Sequence, residues 1–246
     1  MGDVVSESKI CEDSLVLNKL NLDSSLFTKG YYIVQDEASA LVALSIGLPL
    51  DKKYKILDTC AAPGGKSLHI ASKYFNSSLI SCDKYIHKLK LIEDNKEKLG
   101  ITNIEVKEQD ATLNNTSFNN KFDIVICDVP CSGIGVIKNK PEIKYKITNS
   151  YVEDIAKLQY NILNNSKHYV KQEGILMYST CTIDKRENIK NIEKFLKENK
   201  DFSLESISLN NSIVKTRENG VLEILPDEYS CDGFFIAKLK KMEEKC

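Results

Sequence analysis

The 246-residue sequence has almost no charge bias: 34 lysines and arginines stand against 35 aspartates and glutamates, a net charge of −1. No overall basic field draws the chain to nucleic acid, so such a partner must be held by a local patch or by a further domain. No apolar run approaches the roughly 18 residues of a membrane-spanning helix, and no basic-then-apolar leader opens the chain. The eight cysteines are too few for a disulfide scaffold and show no paired CxxC spacing, so no metal site is expected. Together these absences predict reduced thiols, no membrane and a cytoplasmic setting. Met1-Gly2 with Ser6 fits a myristoylation pattern, one so short and common that it is set aside. No internal repeat and no interface signal is visible, so a monomer is expected.

What is present is ordinary globular composition, 42% hydrophobic and 28% charged, enough for one sizeable core. Residues 1–28 are polar and unpatterned apart from Leu15, Leu17, Leu20 and Leu22, and read as a linker or a remnant of something upstream. Residues 29–246 read as one domain. In "VQDEASALVALSIG" a helical period places Ala38, Leu41, Val42, Ser45 and Ile46 on one stripe. Apolar strand runs then alternate with helices. "KILD" (55–58), "SLISCD" (78–83), "IEVKEQD", "FDIVICDVP" and "GILMYSTC" are the strands. "GGKSLHIASKY" (64–74), the lysine-rich stretch ending at Gly100, and "YVEDIAKLQYNILNNSKHYVK" (151–171) are helices. Such alternation predicts an α/β fold, a doubly wound and mostly parallel sheet that binds ligands at the carboxyl ends of its strands. "FSLESISL", "GVLEILP" and "GFFIAKL" break the alternation and predict an antiparallel carboxyl-terminal part.

"LDTCAAPGGKS" (57–67) ends a strand and turns through small residues into a helix, bringing backbone N–H groups close to any ligand there. Neither GxGxxG nor GxxxxGK[ST] is present, which argues against a dinucleotide or nucleoside triphosphate. Asp58, Asp83, Asp110 and Asp128 each close or follow a strand and so share one sheet edge; Asp83, 18 positions after Gly65, is spaced to hold a ribose. An acidic rim beside a glycine turn suits a positively charged nucleoside, and S-adenosylmethionine fits that description. Each of these acids read alone is equally a cap or a solvated loop residue. Cys82 and Cys127 lie in apolar runs as structural cysteines, and Cys60 is a small packing residue of the turn. Cys11, Cys231 and Cys246 fall in tails or loops. Cys131 in "PCSG" and Cys181 in "STCT" each follow a strand on the ligand face. A nucleophilic cysteine needs exposure and a pKa below its free value of about 8.5, and Lys66 is a candidate for the nearby positive charge.

In this order, "VQDEAS", "LDTCAAPGGK", "CDVPCSG", "KPEIK", "YSTCT", Glu187-Asn188 and "DGFFIAKL" resemble the Sun (RsmB-type) RNA cytosine-5 methyltransferases, from about Phe27 to Lys240. The resemblance implies a class I, Rossmann-like, S-adenosylmethionine-dependent methyltransferase domain over 29–246. By the same resemblance, Cys181 matches the nucleophile and Cys131 the cysteine that assists product release. Cys60, Ala61, Ala62, Pro63, Gly64, Gly65 and Lys66 line the cofactor pocket. Asp83 holds the ribose and Asp110 the adenine side, while Asp128 sits where cofactor meets cytosine; Asp128 and Lys66 hold the target base. "KPEIK" and "DGFFIAKL" look like the bacterial ribosomal-RNA branch, which implies 16S ribosomal RNA as substrate. A transfer-RNA cytosine-5 methyltransferase, a non-catalytic ribosome-assembly factor and a small-molecule methyltransferase are the alternatives. Bacterial members carry an upstream helical RNA-binding domain, so residues 1–28 are expected to be its remnant or a linker. "KNKPEIKYK" (138–146) offers four lysines and Tyr145 for phosphate contact or stacking. It has Lys138-Asn139-Lys140 where the family favours arginines, keeping charge but losing bidentate geometry.

Overall fold

A computed structural model describes residues 5–17, 21–210, 213–214, 216 and 219–243. Met1-Gly2, Leu20 and Cys246 lie outside them. In chain order the elements are β1 (Val5–Glu7), β2 (Leu15–Leu17), α1 (Ser25–Thr28), α2 (Glu37–Ile46), β3 (Lys55–Asp58), α3 (Gly65–Lys73), β4 (Ser78–Asp83), α4 (Ile86–Leu99) and β5 (Ile104–Glu108). There follow β6 (Phe122–Asp128), α5 (Asn149–Ser166), β7 (Val170–Thr180), α6 (Ile189–Glu198), β8 (Phe202–Leu204), β9 (Val221–Ile224), α7 (Pro226–Tyr229) and β10 (Phe234–Lys241).

The main sheet runs β5-β4-β3-β6-β7-β10-β8, with β9 paired to β10. β5, β4, β3, β6 and β7 are parallel, while β10 is antiparallel to β7, β8 and β9. This is the doubly wound sheet with an antiparallel carboxyl-terminal part that the sequence predicts. β3 has β4 on one side and β6 on the other, so the winding reverses there. A crevice opens at such a reversal, at the strands' carboxyl ends.

Strand alternation splits the core between the two faces. Ile124 and Ile126 of β6, with Ile175 and Met177 of β7, pack among the residues of α2 and α3. Val125, Cys127, Leu176 and Tyr178 point the other way, toward α5 and α6. The predicted stripe of α2 is buried throughout. Its start is fixed by Asp36, whose Oδ1 accepts from the N–H groups of Ala38 and Ser39. Cys82 and Cys127 are fully buried, as expected of structural thiols.

One region differs from the sequence reading, and another carries structure that the reading leaves open. Tyr169 to Lys171 do not end a helix: α5 stops at Ser166, and β7 begins at Val170 after a single 3-10 turn. Tyr169 and Val170 are buried against the sheet, so their apolar character, which fits a helical period, is used by the strand entry instead. The second region is the amino-terminal segment. β1 and β2 pair antiparallel, and the turn between them buries Ile10 and Cys11 in the core around α2. Asp13 accepts from Lys73 Nζ at 2.8 Å and contacts His69 Nε2 at 3.0 Å. Two apolar residues and one acid are too few to leave a local pattern, and the partners of Asp13 lie 56 and 60 positions away. Among the described residues no helix is long and apolar enough to cross a membrane.

Truncating the fully enclosed Ile10 leaves a cavity. Ile10→Ala should cost about 2–5 kcal/mol, read as a lower denaturation midpoint with an unchanged slope. An unchanged midpoint would mean that this segment does not share the core's stability.

Candidate active site

The site begins where β3 ends. Thr59 Oγ1 donates to Ile126 O at 3.0 Å, which ties the turn to β6. Ala61 N donates to Cys82 O at 2.8 Å, which ties it to β4. The chain passes a cis Ala62–Pro63 bond and reaches Gly64 at φ 105°, a conformation that only glycine adopts readily. α3 starts at the next residue. Asp58, expected on the acidic rim, is instead fully enclosed beneath this turn. It accepts from Ser67 Oγ at 2.7 Å and from Cys60 N at 3.3 Å. Burial, with the Asp128 charge adding to it, pushes the Asp58 carboxyl up to about 7.

The other three acids do face the strand ends. Asp83 accepts from Ala62 N at 3.3 Å and Tyr85 N at 3.0 Å. Both partners are backbone N–H groups, so lone pairs remain for the two hydroxyls of a ribose. The turn from Cys60 to Lys66, closed by Gly64 and faced by Asp83, therefore fits the nucleoside part of S-adenosylmethionine. Asp110 is engaged differently: Lys84 Nζ at 2.7 Å and Thr112 hold its carboxyl down at about 2. An adenine amine would share that carboxylate with Lys84.

The two thiols lie at the ends of adjacent parallel strands. Cys181 follows β7 directly, and Cys131 comes three residues after β6. Their sulfurs are 3.1 Å apart. Both are partly exposed, unlike Cys82 and Cys127. The hydrogen bond from Cys131 lowers the Cys181 thiol below its ordinary value; burial and Asp128 oppose this, and Lys66 adds to it. The Cys131 thiol is pushed well up by that same contact, then by burial and by the charges of Cys181 and Glu187. Of the two, Cys181 is therefore the more readily ionised and Cys131 the more firmly protonated.

Beside them Lys66 Nζ lies 2.7 Å from Asp128 Oδ2, and Ser179 Oγ donates to Asp128 Oδ1 at 2.8 Å. Burial disfavours charge on Lys66, but the Asp128 contact outweighs it and raises the ammonium pKa. The sequence places Lys66 near the thiols only as a candidate; here α3 brings it to Asp128 and within electrostatic reach of Cys181.

The sequence reading gives no role to four residues behind the thiols: Glu187, Ser132, Thr182 and Gln159. Glu187 is fully buried and accepts from Ser132 N at 2.8 Å, Ser132 Oγ at 2.5 Å, Thr182 Oγ1 at 3.2 Å and Gln159 Nε2 at 2.8 Å. Glu187-Asn188 is legible only as a family block, and its partners stand up to 55 positions away with no local spacing to mark them. The Cys131 loop is also tied by backbone: Gly135 N donates to Cys181 O at 3.1 Å, and Gly233 N donates to Gly135 O at 2.8 Å. A Cβ on Gly135 would stand 2.2 Å from Gly233 O and 2.8 Å from Cys181 O.

The "KNKPEIKYK" segment forms a 3-10 turn over Pro141–Tyr145 next to this loop. Its lysines are exposed, and Tyr145 is 81% exposed, with Lys144 Nζ 5.0 Å from its ring centroid. Ile143 alone is half-buried, over Gly133. Among the described residues no cluster of histidine, cysteine and acidic side chains could hold a metal ion.

The family model for 16S rRNA methyltransferase RsmB/F matches residues 45–240. The chain is 39% identical to the probable ribosomal RNA small subunit methyltransferase B of Bacillus subtilis (strain 168), over 98% of this chain and 55% of that one. It is 32% identical to the ribosomal RNA small subunit methyltransferase F of Vibrio campbellii, over 87% of this chain and 45% of that one. The chain spans about half the length of these curated relatives. Among solved structures, that of PH0851 superposes with a TM-score of 0.88 at 31% identity, covering 97% of this chain and 54% of that one. That of NSun6 from Pyrococcus horikoshii with SFG gives 0.78 at 28% identity, covering 94% and 60%.

Because the Cys131 hydrogen bond is the largest influence lowering Cys181, removing it should leave less thiolate at neutral pH. Iodoacetamide should label Cys181 ahead of the other cysteines in the native chain, and several-fold more slowly in Cys131→Ala. An equal rate in both would mean that the sulfur contact does not set Cys181 ionisation.

Proposed function

The chain belongs to the 16S rRNA methyltransferase RsmB/F family, and from that membership we propose that it methylates carbon 5 of a cytosine in RNA, with 16S ribosomal RNA as substrate and S-adenosylmethionine as donor. The observation that carries the reading is the 3.1 Å contact between Cys131 and Cys181 beside the Lys66–Asp128 pair.

Carbon 5 of cytosine is a poor nucleophile. Addition of the Cys181 thiolate to carbon 6 forms a carbon–sulfur bond and pushes the ring electrons toward carbon 5. Asp128, held by Ser179 and Lys66, faces ring nitrogen 3 and stabilises this adduct by sharing a proton there. Lys66 supplies the balancing positive charge and helps to hold the base. S-adenosylmethionine, held by the turn from Cys60 to Lys66 with Asp83 on the ribose and Asp110 on the adenine side, supplies the electrophilic methyl group. After transfer the carbon 5 proton is lost to solvent and its bonding pair restores the ring double bond. The carbon–sulfur bond breaks with its pair returning to Cys181. Cys131, protonated and in contact with that sulfur, stabilises the departing thiolate by hydrogen bonding.

The target base must be unpaired or flipped to reach thiols recessed at the strand ends. The exposed lysines and Tyr145 of residues 138–146 are the phosphate- and base-facing surface beside them. The reading includes a cytoplasmic setting and a monomer, with residues 29–246 as the catalytic domain.

Bisulfite mapping of ribosomal RNA incubated with the chain and the donor tests this. Cys181→Ala should lower methylation by about 10³-fold or more without forming an adduct. Cys131→Ala should accumulate a protein–RNA adduct that survives denaturing electrophoresis. Normal release by the Cys131 variant together with adduct in the Cys181 variant would reverse the roles.

A further inference from the structure

We propose that Glu187 is a positioning residue whose buried carboxylate ties the residue after Cys131 to the residue after Cys181 and so holds the two sulfurs in contact. The inference rests on the proposed use of those thiols for its meaning in catalysis, and on geometry alone for its structural content.

Glu187 stands two residues before α6, behind both loops. Its Oε2 accepts from Ser132 N at 2.8 Å and Gln159 Nε2 at 2.8 Å. Its Oε1 accepts from Ser132 Oγ at 2.5 Å and Thr182 Oγ1 at 3.2 Å. Ser132 and Thr182 hydroxyls also meet each other at 3.0 Å. One side chain thus bridges the loops after β6 and β7 at the positions adjoining the two cysteines. Gln159 of α5 completes the set, and its Nε2 also donates to Pro130 O at 2.9 Å, on the other side of Cys131. The residue before Glu187 does not compete: Arg186 turns its guanidinium to Asp184 at 2.6 Å. The backbone of Glu187 is fixed as well, since its carbonyl accepts from Tyr178 OH at 2.5 Å.

Four donors converging on one side chain suit a carboxylate, which carries acceptor sites only. A glutamine there would bring further N–H protons into a space already filled by donors. The charge has a second effect. It lies nearer the Cys131 loop and disfavours a thiolate at Cys131, while Lys66 on the opposite side favours one at Cys181. The groups bearing on the pair are Glu187 behind Cys131, Lys66 and Asp128 beside Cys181, and each sulfur on the other. Glu187 at Cys131 and Lys66 at Cys181 therefore act in the same direction, adding to the inequality that the sulfur contact sets, while Asp128 opposes it at Cys181.

The test reads each thiol separately, without RNA or donor. Site-resolved alkylation by iodoacetamide, followed across neutral and mildly alkaline pH, is measured for the native chain, Glu187→Gln, Glu187→Asp and Ser132→Ala. In Glu187→Gln the Cys131 rate should rise and the Cys181 rate fall, each by about tenfold, with retained circular dichroism. Glu187→Asp keeps the charge and should keep the native order, Cys181 ahead of Cys131. Ser132→Ala leaves the carboxylate in place and removes the shortest bond of the tie, so it keeps a measurement available if the glutamine variant does not fold; its Cys181 rate should fall about threefold. A merely structural role would loosen the site and raise both rates together. That outcome, or unchanged rates in both Glu187→Gln and Ser132→Ala, would overturn the inference. Native chain that methylates no cytosine, with thiol rates shifting as expected, would sink the functional reading and leave the tie standing. Glu187→Gln that methylates at the native rate with unchanged thiol rates would do the reverse.

Discussion

The contact on which the rest of the site depends is that between the sulfurs of Cys131 and Cys181. Two thiols can meet at 3.1 Å only if the loops that carry them leave the sheet side by side, and the pairing of β6 with β7 supplies this. Parallel neighbours end at the same edge, so Asp128 stands opposite Ser179 and the two following loops start level. In an antiparallel pair the loop after one strand would begin at the far edge from the loop after the other. The winding reversal at β3 then brings the glycine turn and Lys66 to that same edge.

Close packing of two ionisable sulfurs creates a problem as well as a site. Neither thiolate is favoured in a partly buried position, and two equal thiols would divide the charge between them. Unequal surroundings resolve this. Lys66 stands on the side of Cys181, where it also neutralises Asp128. Glu187 lies behind Cys131. Asp58, one layer further in, is the group that yields: enclosed, and with Asp128 nearby, its carboxyl titrates near neutrality and does not stay firmly ionised. Three acids and one ammonium thus occupy a small region without three full negative charges facing one positive charge.

Much of this was legible in the sequence, for a physical reason. A parallel α/β sheet writes its strands as apolar runs and its ligand edge as the residues that follow them. The positions of Cys131, Cys181, Asp83 and Asp128 along the chain therefore already place them together. The glycine turn was legible because small residues at a strand end have few other uses. What was not legible depends on contacts between distant segments. Asp58 and Asp128 look alike in sequence, but one lies beneath the turn and the other above it. Glu187 binds Ser132 across 55 positions, and nothing in a loop without periodicity marks that pairing. Ile10 and Cys11 sit in a polar stretch whose burial comes from α2 and the sheet, not from any pattern of its own.

The crossing of Gly135, Cys181 and Gly233 carries a consequence of another kind. Three strand-end loops are joined there by main-chain hydrogen bonds, with less space than one methyl group requires at Gly135. Neither glycine can take a side chain without parting these loops, so the spacing there is inherited whole. The turn over residues 138–146 lies beside the crossing and reaches it through a side-chain bond, Asn139 Nδ2 donating to Asp232 Oδ1 at 2.9 Å. Exchange of its exposed lysines therefore alters surface charge without touching the main-chain bonds that align the sulfur-bearing loops.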